Sequence, residues 1–157
     1  MLGTAIRSLC FGLAAFTLSV SASASAPTKT LAVCGASAGT GYYVIDGAGR
    51  WTSDAQQGGR LTFLIGADGK PNLIYLSEHD GAIDTLEDGG LVYLIRRDVS
   101  TGEFGMVIIY PAAGTAETYN VLRLANGKRQ VVWTQNKAHV GPGKRLSSAK
   151  VFTADCD

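Results

Sequence analysis

The sequence predicts an all-β fold, an antiparallel meander of about 7–8 strands. Short runs rich in β-branched and aromatic residues recur along the chain, and turn dipeptides such as Asp68-Gly69 separate them. No helical periodicity extends beyond a turn or two. Cysteines near both ends favour an up-and-down barrel, in which first and last strands meet, over a sandwich.

Length and composition indicate one folded domain. The chain has 157 residues, of which 46% are apolar and 17% are charged, and this apolar share is too high for a disordered chain. Lys and Arg number 14 and Asp and Glu number 13, so the formal net charge is +1. Binding of nucleic acid generally requires a strongly basic face. We therefore expect no nucleic-acid partner.

Residues 1–24 are predicted to be a cleaved secretory signal peptide. Arg7 is the only charge, and an apolar stretch followed by small residues of the A-x-A type completes the pattern. We expect cleavage after Ala24 and keep Ala26 as the alternative, since the residue after Ala26 is a proline. Residues 25–157 then form a single periplasmic or secreted domain without stable membrane insertion, because no second long apolar segment follows.

Two cysteines remain after cleavage, Cys34 and Cys156, since Cys10 leaves with the signal. Exported proteins fold in an oxidising compartment, where a lone pair of cysteines normally forms a disulfide. We expect this bond to tie the last strand to the first. Neither cysteine belongs to a C-x-x-C motif or lies near a histidine in sequence, so we expect no metal and no cofactor there.

The strands and turns follow one another regularly. The predicted strands are Arg60–Ile65, Asn72–Ser77, Leu91–Arg96, Phe104–Tyr110, Glu117–Leu124, Gln130–Gln135 and Lys150–Ala154. Asp, Asn and Gly tolerate the positive φ of hairpin turns. The predicted turns are Asp68-Gly69, Asp80-Gly81, Asp88-Gly89, Thr101-Gly102, Ala113-Gly114 and Asn126-Gly127.

The segment Gly35–Gln57 is glycine-rich, and we expect a loop there with one short strand and a bend through Trp51. A brief helical turn is expected over Arg145–Ala149. Alternation along the strands predicts a core of Leu61, Phe63, Ile65, Leu73, Tyr75, Leu91, Tyr93, Ile95, Val131 and Trp133.

Four aromatic residues are the candidate ligand site: Tyr42, Tyr43, Trp51 and Trp133. Aromatic side chains at the mouth of a small barrel commonly hold apolar, aromatic or sugar ligands. The alternative is that they plug one end of the barrel and complete its core.

Two further patterns carry less chemistry. Residues 35–39 match G-x-S-x-G around Ser37, but that nucleophile motif needs a strand, a sharp turn and a helix, with His139 as the downstream base. The residues that follow are a poor helix start, so we expect no catalytic residue. An acidic cluster with one histidine spans residues 78–88 and fits no EF-hand spacing. We expect a solvated turn there rather than a metal site.

Several segments resemble small exported proteins of unknown function from Gram-negative bacteria. The resemblance rests on short motifs that are spread over most of the chain after residue 24. They are Cys34-Gly35-Ala36-Ser37, Gly41-Tyr42-Tyr43, Trp51 with Asp54, an Asp-Gly turn, Glu117-Thr118-Tyr119, Val132–Gln135 and Cys156. It implies an exported all-β protein and carries no catalytic residue.

The leading functional hypothesis is a non-enzymatic exported domain that binds a small molecule or an envelope protein. A second hypothesis is an inhibitor or interaction module that presents residues 35–41 and 139–144 as contact loops. A hydrolase that uses Ser37 is the third.

Overall fold

The computed structural model describes residues 27–77, 80–138 and 146–157, which form eleven β-strands and contain no helix. Accordingly, no helix in this part of the chain is long and apolar enough to cross a bilayer. The strands are β1 (Lys29–Cys34), β2 (Ser37–Ile45), β3 (Ala48–Gln56), β4 (Arg60–Ile65), β5 (Pro71–Ser77), β6 (Gly81–Asp84), β7 (Leu91–Arg97), β8 (Phe104–Tyr110), β9 (Thr115–Arg123), β10 (Arg129–Lys137) and β11 (Leu146–Cys156).

Turn chemistry accounts for the regular spacing of the strands. The glycine of each predicted turn dipeptide has a positive φ, a conformation that glycine adopts without steric cost. Asp46-Gly47 is one more turn of this kind, with φ of 50° and 88°. Positive φ at both residues of a two-residue connection matches the twist of the strands that it joins, here β2 and β3.

All the strands pair antiparallel in one sheet, which forks at β11. The main path runs β6-β5-β4-β1-β11-β10-β9-β8-β7, while β2 pairs with β11 and with β3. β1 meets β11 in register only at Cys34 and Cys156, and β2 then follows β11 from Thr153 to Leu146. One edge of β11 is therefore shared by two strands, β1 and β2. We call the hairpin of β2 and β3 the wing.

The sheet curls into a half-barrel that encloses an aromatic core. The ring of Phe63 on β4 contacts the rings of Phe104 on β8 and Tyr119 on β9. The two branches of the sheet therefore face each other, and β5 also approaches β7, although no strand pairing joins these two. Trp133 lies between Tyr119 and Phe152 with all three rings stacked.

The predicted disulfide is confirmed. Cys34 and Cys156 are bonded, with their Cα atoms 4.0 Å apart and a sequence separation of 122. Backbone hydrogen bonds flank the bond on both sides, from Gly35 N to Asp155 O and from Asp157 N to Val33 O. The all-β, antiparallel and barrel-like character of the fold is likewise confirmed.

The expected loop over Gly35–Gln57 is wrong. This segment forms the hairpin of β2 and β3, each nine residues long. Small residues and glycines lower strand propensity. Here β2 nevertheless forms a strand, because its backbone pairs with β11 from Ala38 to Ile45. For the same reason the expected helical turn at 145–149 is replaced, from Leu146 onward, by strand β11. These additions, with β1 and the short β6, raise the number of described strands above the seven or eight expected.

The predicted burial of β7 is also wrong. Leu91, Tyr93 and Ile95 are 46%, 53% and 67% exposed, whereas Val92 and Leu94 pack against the core. This run is apolar on both faces, so alternation alone does not choose between them. The other predicted core positions face inward, where Leu61, Phe63, Leu73, Val131 and Trp133 are buried, Tyr75 packs at the margin and Ile65 is half-buried.

Candidate functional site

The concave face of the sheet changes from apolar to polar between two neighbouring rows of side chains. In register across β2, β11, β10, β9 and β8, one row reads Gly39, Phe152, Trp133, Tyr119 and Met106. The next row reads Gly41, Lys150, Gln135, Glu117 and Ile108. We call Tyr43, Asp54, Glu117, Gln135 and Lys150 the polar shelf, because these five side chains line the concave face directly beyond the aromatic stack.

Lys150, Asp54 and Tyr43 make one connected group on the wing side of the shelf. Lys150 Nζ lies 3.2 Å from Asp54 Oδ2 and 5.1 Å from the centre of the Tyr43 ring. The Tyr43 hydroxyl donates a hydrogen bond to Asp54 Oδ2. The ion pair is partly buried, with the two side chains 21% and 27% exposed. It therefore interacts more strongly than a fully solvated surface pair.

Glycine makes this contact possible. Lys150 and Asp54 stand on β11 and β3, which are not adjacent, because β2 runs between them. On this face β2 carries Gly39 and Gly41 opposite the two charged residues. A Cβ on Gly41 would lie 2.8 Å from the Tyr43 ring and 3.1 Å from Lys150 Cγ. The lysine therefore reaches across β2 only because no side chain stands there.

Burial and pairing act in opposite directions on these charges. Burial alone would raise the pKa of Asp54, but the hydrogen bonds from Tyr43 and Lys150 outweigh it and hold that pKa below 3.8. Burial alone would lower the pKa of Lys150, but its contacts with Tyr43 and Asp54 raise that pKa above 10.5. Burial, followed by the hydrogen bond to Asp54, raises the pKa of Tyr43 above 10.0. All three groups keep their usual charge states at neutral pH.

We expect Asp54→Asn to lower stability at neutral pH and to lose this effect in acid. The folded-state pKa of Asp54 lies below 3.8, so the carboxylate contributes stability above that value, and this is lost as pH falls through the folded-state pKa. Urea denaturation of the wild type and the variant over a pH series measures the difference. An advantage of the wild type that stays constant into strong acid would contradict the assignment.

Glu117 is the second feature of the shelf. Its side chain is buried, with the residue 8% exposed. One carboxylate oxygen accepts a hydrogen bond of 2.7 Å from the Tyr119 hydroxyl, and the other accepts one of 2.6 Å from Gln135 Nε2. No described cation lies within ion-pair distance of it. Burial, followed by the negative charge of Glu117, raises the pKa of Tyr119 well above 10.0, so that hydroxyl remains a donor.

Trp133 lies opposite Tyr119, in the row next to Glu117, and has an unused donor. The residue is 2% exposed, and its Nε1 has no hydrogen-bond partner within the described residues. A buried polar group without a partner costs free energy and calls for an explanation such as a ligand or an ordered water. Trp133 is thus part of the core and keeps a buried donor without a partner among the described residues.

The structure separates the four aromatic residues predicted to form one ligand site. Tyr43 and Trp133 lie on the concave face, whereas Tyr42 and Trp51 pack against each other on the convex face, with ring centres 5.3 Å apart. Trp51 is 69% exposed. Two residues that are adjacent in a strand point to opposite faces, so Tyr42 and Tyr43 do not line one site.

Ser37 lies in β2 and does not stand on a strand–turn–helix elbow. It is 4% exposed, and its Oγ donates a hydrogen bond of 3.5 Å to Gln56 Oε1. His139 lies outside the described residues. The geometry that a G-x-S-x-G nucleophile needs is therefore missing around Ser37 in the described structure.

Asp84 makes the main contacts within the described part of the acidic segment, residues 80–88. Its carboxylate accepts hydrogen bonds from Asn72 Nδ2 and from the backbone N–H groups of Leu86 and Glu87. Glu78 and His79 lie outside the described residues. In the described ranges, no three His, Cys, Asp or Glu residues come together as metal ligands.

Comparison of the chain with protein-family models, with curated proteins and with solved structures found no match. The residues of the polar shelf are therefore identified from their geometry alone. Sequence reasoning named Tyr43 but assigned no role to Glu117, Gln135 or Lys150. The Asp46-Gly47 turn was an available signal, since it would have placed β2 and β3 in one hairpin.

Proposed function

We propose that this chain is an exported, non-enzymatic β-domain that binds a small organic molecule on the polar shelf. The predicted signal peptide and the disulfide support export to the periplasm or the medium. Both signs of charge on the shelf, next to aromatic surface, are the mixture of groups by which small-molecule sites orient a ligand.

The observation that carries this proposal is the environment of Glu117. Taking a carboxylate out of water is costly unless a cation or hydrogen bonds compensate for it. Here two neutral donors compensate for it in part, and each carboxylate oxygen keeps further acceptor capacity. A ligand that bears an amine or hydroxyl group would supply the missing partner.

The surroundings support a site that is open to solvent on one side. Arg50 and Lys137 lie in the same row across the sheet as Tyr43, and both are exposed. Tyr43 and Gln135 themselves are half-buried. The aromatic stack below the shelf is closed by the contact of Phe63 with Phe104 and Tyr119. These features favour a polar ligand that lies on the packed aromatic rings. They do not favour an apolar ligand inside the barrel.

Native mass spectrometry tests the proposal on protein purified gently from the organism that makes it. We expect the wild type to carry a reproducible extra mass, and we expect Glu117→Gln and Lys150→Met to lose it while remaining folded by circular dichroism. Trp51→Ala, which removes an aromatic ring from the convex face, is the matched control and should retain the extra mass. A bare wild-type mass, or retention of the ligand by both shelf variants, would overturn the proposal.

The second hypothesis, an interaction module, needs a different contact surface from the two loops that the sequence suggested. Residues 35–41 provide a bend and the beginning of β2 rather than a loop, and 139–144 lie outside the described residues. The exposed apolar side chains on the convex face are a better basis for contact with a protein. Hydrolysis by Ser37 is not proposed, because its hydroxyl is buried against Gln56.

A further inference from the structure

The outer surface of β7 and β8 carries a strip of exposed apolar side chains. Leu91, Tyr93 and Ile95 point outward from β7, and Leu91 lies opposite Ile109, which is also exposed. Tyr93 lies opposite Val107, so the strip continues onto β8. Large contiguous apolar patches are uncommon on monomeric proteins and indicate an interaction surface. We call Leu91, Tyr93, Ile95, Val107 and Ile109 the outer strip.

The two ends of β7 carry opposite charges. Glu87 and Asp88 precede the strand and are exposed, whereas the exposed Arg96 closes it opposite Gly105. Arg97 pairs with Phe104 and therefore points to the inner face. Hydrogen bonds from Ser100, followed by the nearby charge of Arg96, lower the pKa of Asp98. No ion pair joins Glu87, Asp88 or Arg96 to another described residue, so these three charges are exposed to a partner.

The apolar and charged side chains of β7 are complementary to those of a second β7 that runs in the opposite direction. If two β7 strands run antiparallel with Tyr93 at the centre, Leu91 of each copy faces Ile95 of the other. Arg96 of each copy then lies at the end where Glu87 and Asp88 of the other copy lie. A two-fold contact uses the same patch twice and requires this kind of self-complementarity.

We infer that a second copy of this chain docks on the outer strip, with the two β7 strands antiparallel about a two-fold axis near Tyr93. The apolar side chains provide the buried centre of the contact, and the charges at both ends set its direction. The outer strip lies on the opposite face of the sheet from the polar shelf. This inference is therefore independent of ligand binding and can fail without affecting it.

Sedimentation equilibrium of the chain after a series of dilutions measures the association. We expect a concentration-dependent dimer whose dissociation constant rises with added salt, because the charges at the ends are exposed. Ile95→Lys should weaken the dimer at least about tenfold. Trp51→Lys, which alters an equally exposed apolar residue on the wing, should leave the dimer unchanged. A wild type that remains monomeric at every concentration would overturn the inference.

Charge reversal tests the orientation. The variant R96E makes both ends of β7 acidic on the outer face, and E87R/D88R makes both ends basic. Each variant alone should be weakened at least about tenfold, since like charges then meet, and an equimolar mixture should form a heterodimer. Circular dichroism checks that each variant is folded. Retention of a wild-type dimer by both variants, or failure of the mixture to associate, would show that β7 does not pair in this way.

Discussion

Loss of the Cys34–Cys156 bond is expected to lower the free energy of unfolding by about 4–5 kcal/mol. The bond joins cysteines at a sequence separation of 122, and cross-links across long loops restrict the unfolded chain most. It also lies at the only residue pair where β1 and β11 are in register. The branch that contains β4 to β6 is attached to the rest of the sheet at this point.

Urea denaturation of the wild type, with and without reductant, measures the effect. The double variant C34A/C156A should show a loss at least as large, because Cys34 is fully buried and its truncation also removes core contacts. Comparison of the reduced wild type with the double variant separates the cross-link from the packing. A loss below about 1 kcal/mol in both would mean that the chain-entropy account does not hold for this protein.

Phe63→Ala is expected to destabilise the protein by about 3–5 kcal/mol, the usual cost of removing a fully buried phenylalanine ring. Phe63 is 0% exposed, and its ring contacts Phe104 and Tyr119 across the interior. These contacts join β4 to β8 and β9, so the cavity would open between the two branches of the curled sheet. Phe63→Leu should recover part of the loss, because it refills much of the volume.

The control is Val99→Ala, at an apolar residue that is 76% exposed. Its effect should stay within about 0.5 kcal/mol, as for most surface substitutions. Equilibrium unfolding in urea at neutral pH measures all three variants. A loss for Phe63→Ala no larger than that of Val99→Ala would show that contact between the two branches does not stabilise the fold.

Sequence reasoning located most strands of the main path, since their signals are local. Phe104–Tyr110 was predicted with the bounds that β8 has in the structure. The wing was missed, because Ser, Ala and Gly make up four of the first five residues of β2 and lower strand propensity there. The inward-facing residues of β7 were predicted wrongly because this strand is apolar on both faces. In the structure Val92 and Leu94 pack against the core.

The candidate site was predicted less well than the fold. Of the four aromatic residues, Tyr43 belongs to the polar shelf through its contacts with Asp54 and Lys150, and Trp133 lies in the aromatic stack next to it. Tyr42 and Trp51 belong to the opposite face. Asp54 and Lys150 are 96 positions apart in sequence, and no periodicity within one strand relates them. Their contact depends on the fork of the sheet and on Gly39 and Gly41.

Local sequence patterns were sufficient to predict the all-β class, the turns and the pairing of Cys34 with Cys156. Turns depend on the φ that Gly, Asn and Asp tolerate locally, and outside the predicted signal peptide two cysteines allow only one bond. Which side chains share a face, in contrast, depends on how the strands pair. Strand order and register bring residues from β2, β3, β9, β10 and β11 together, and these pairings are long-range choices that no short stretch of sequence encodes.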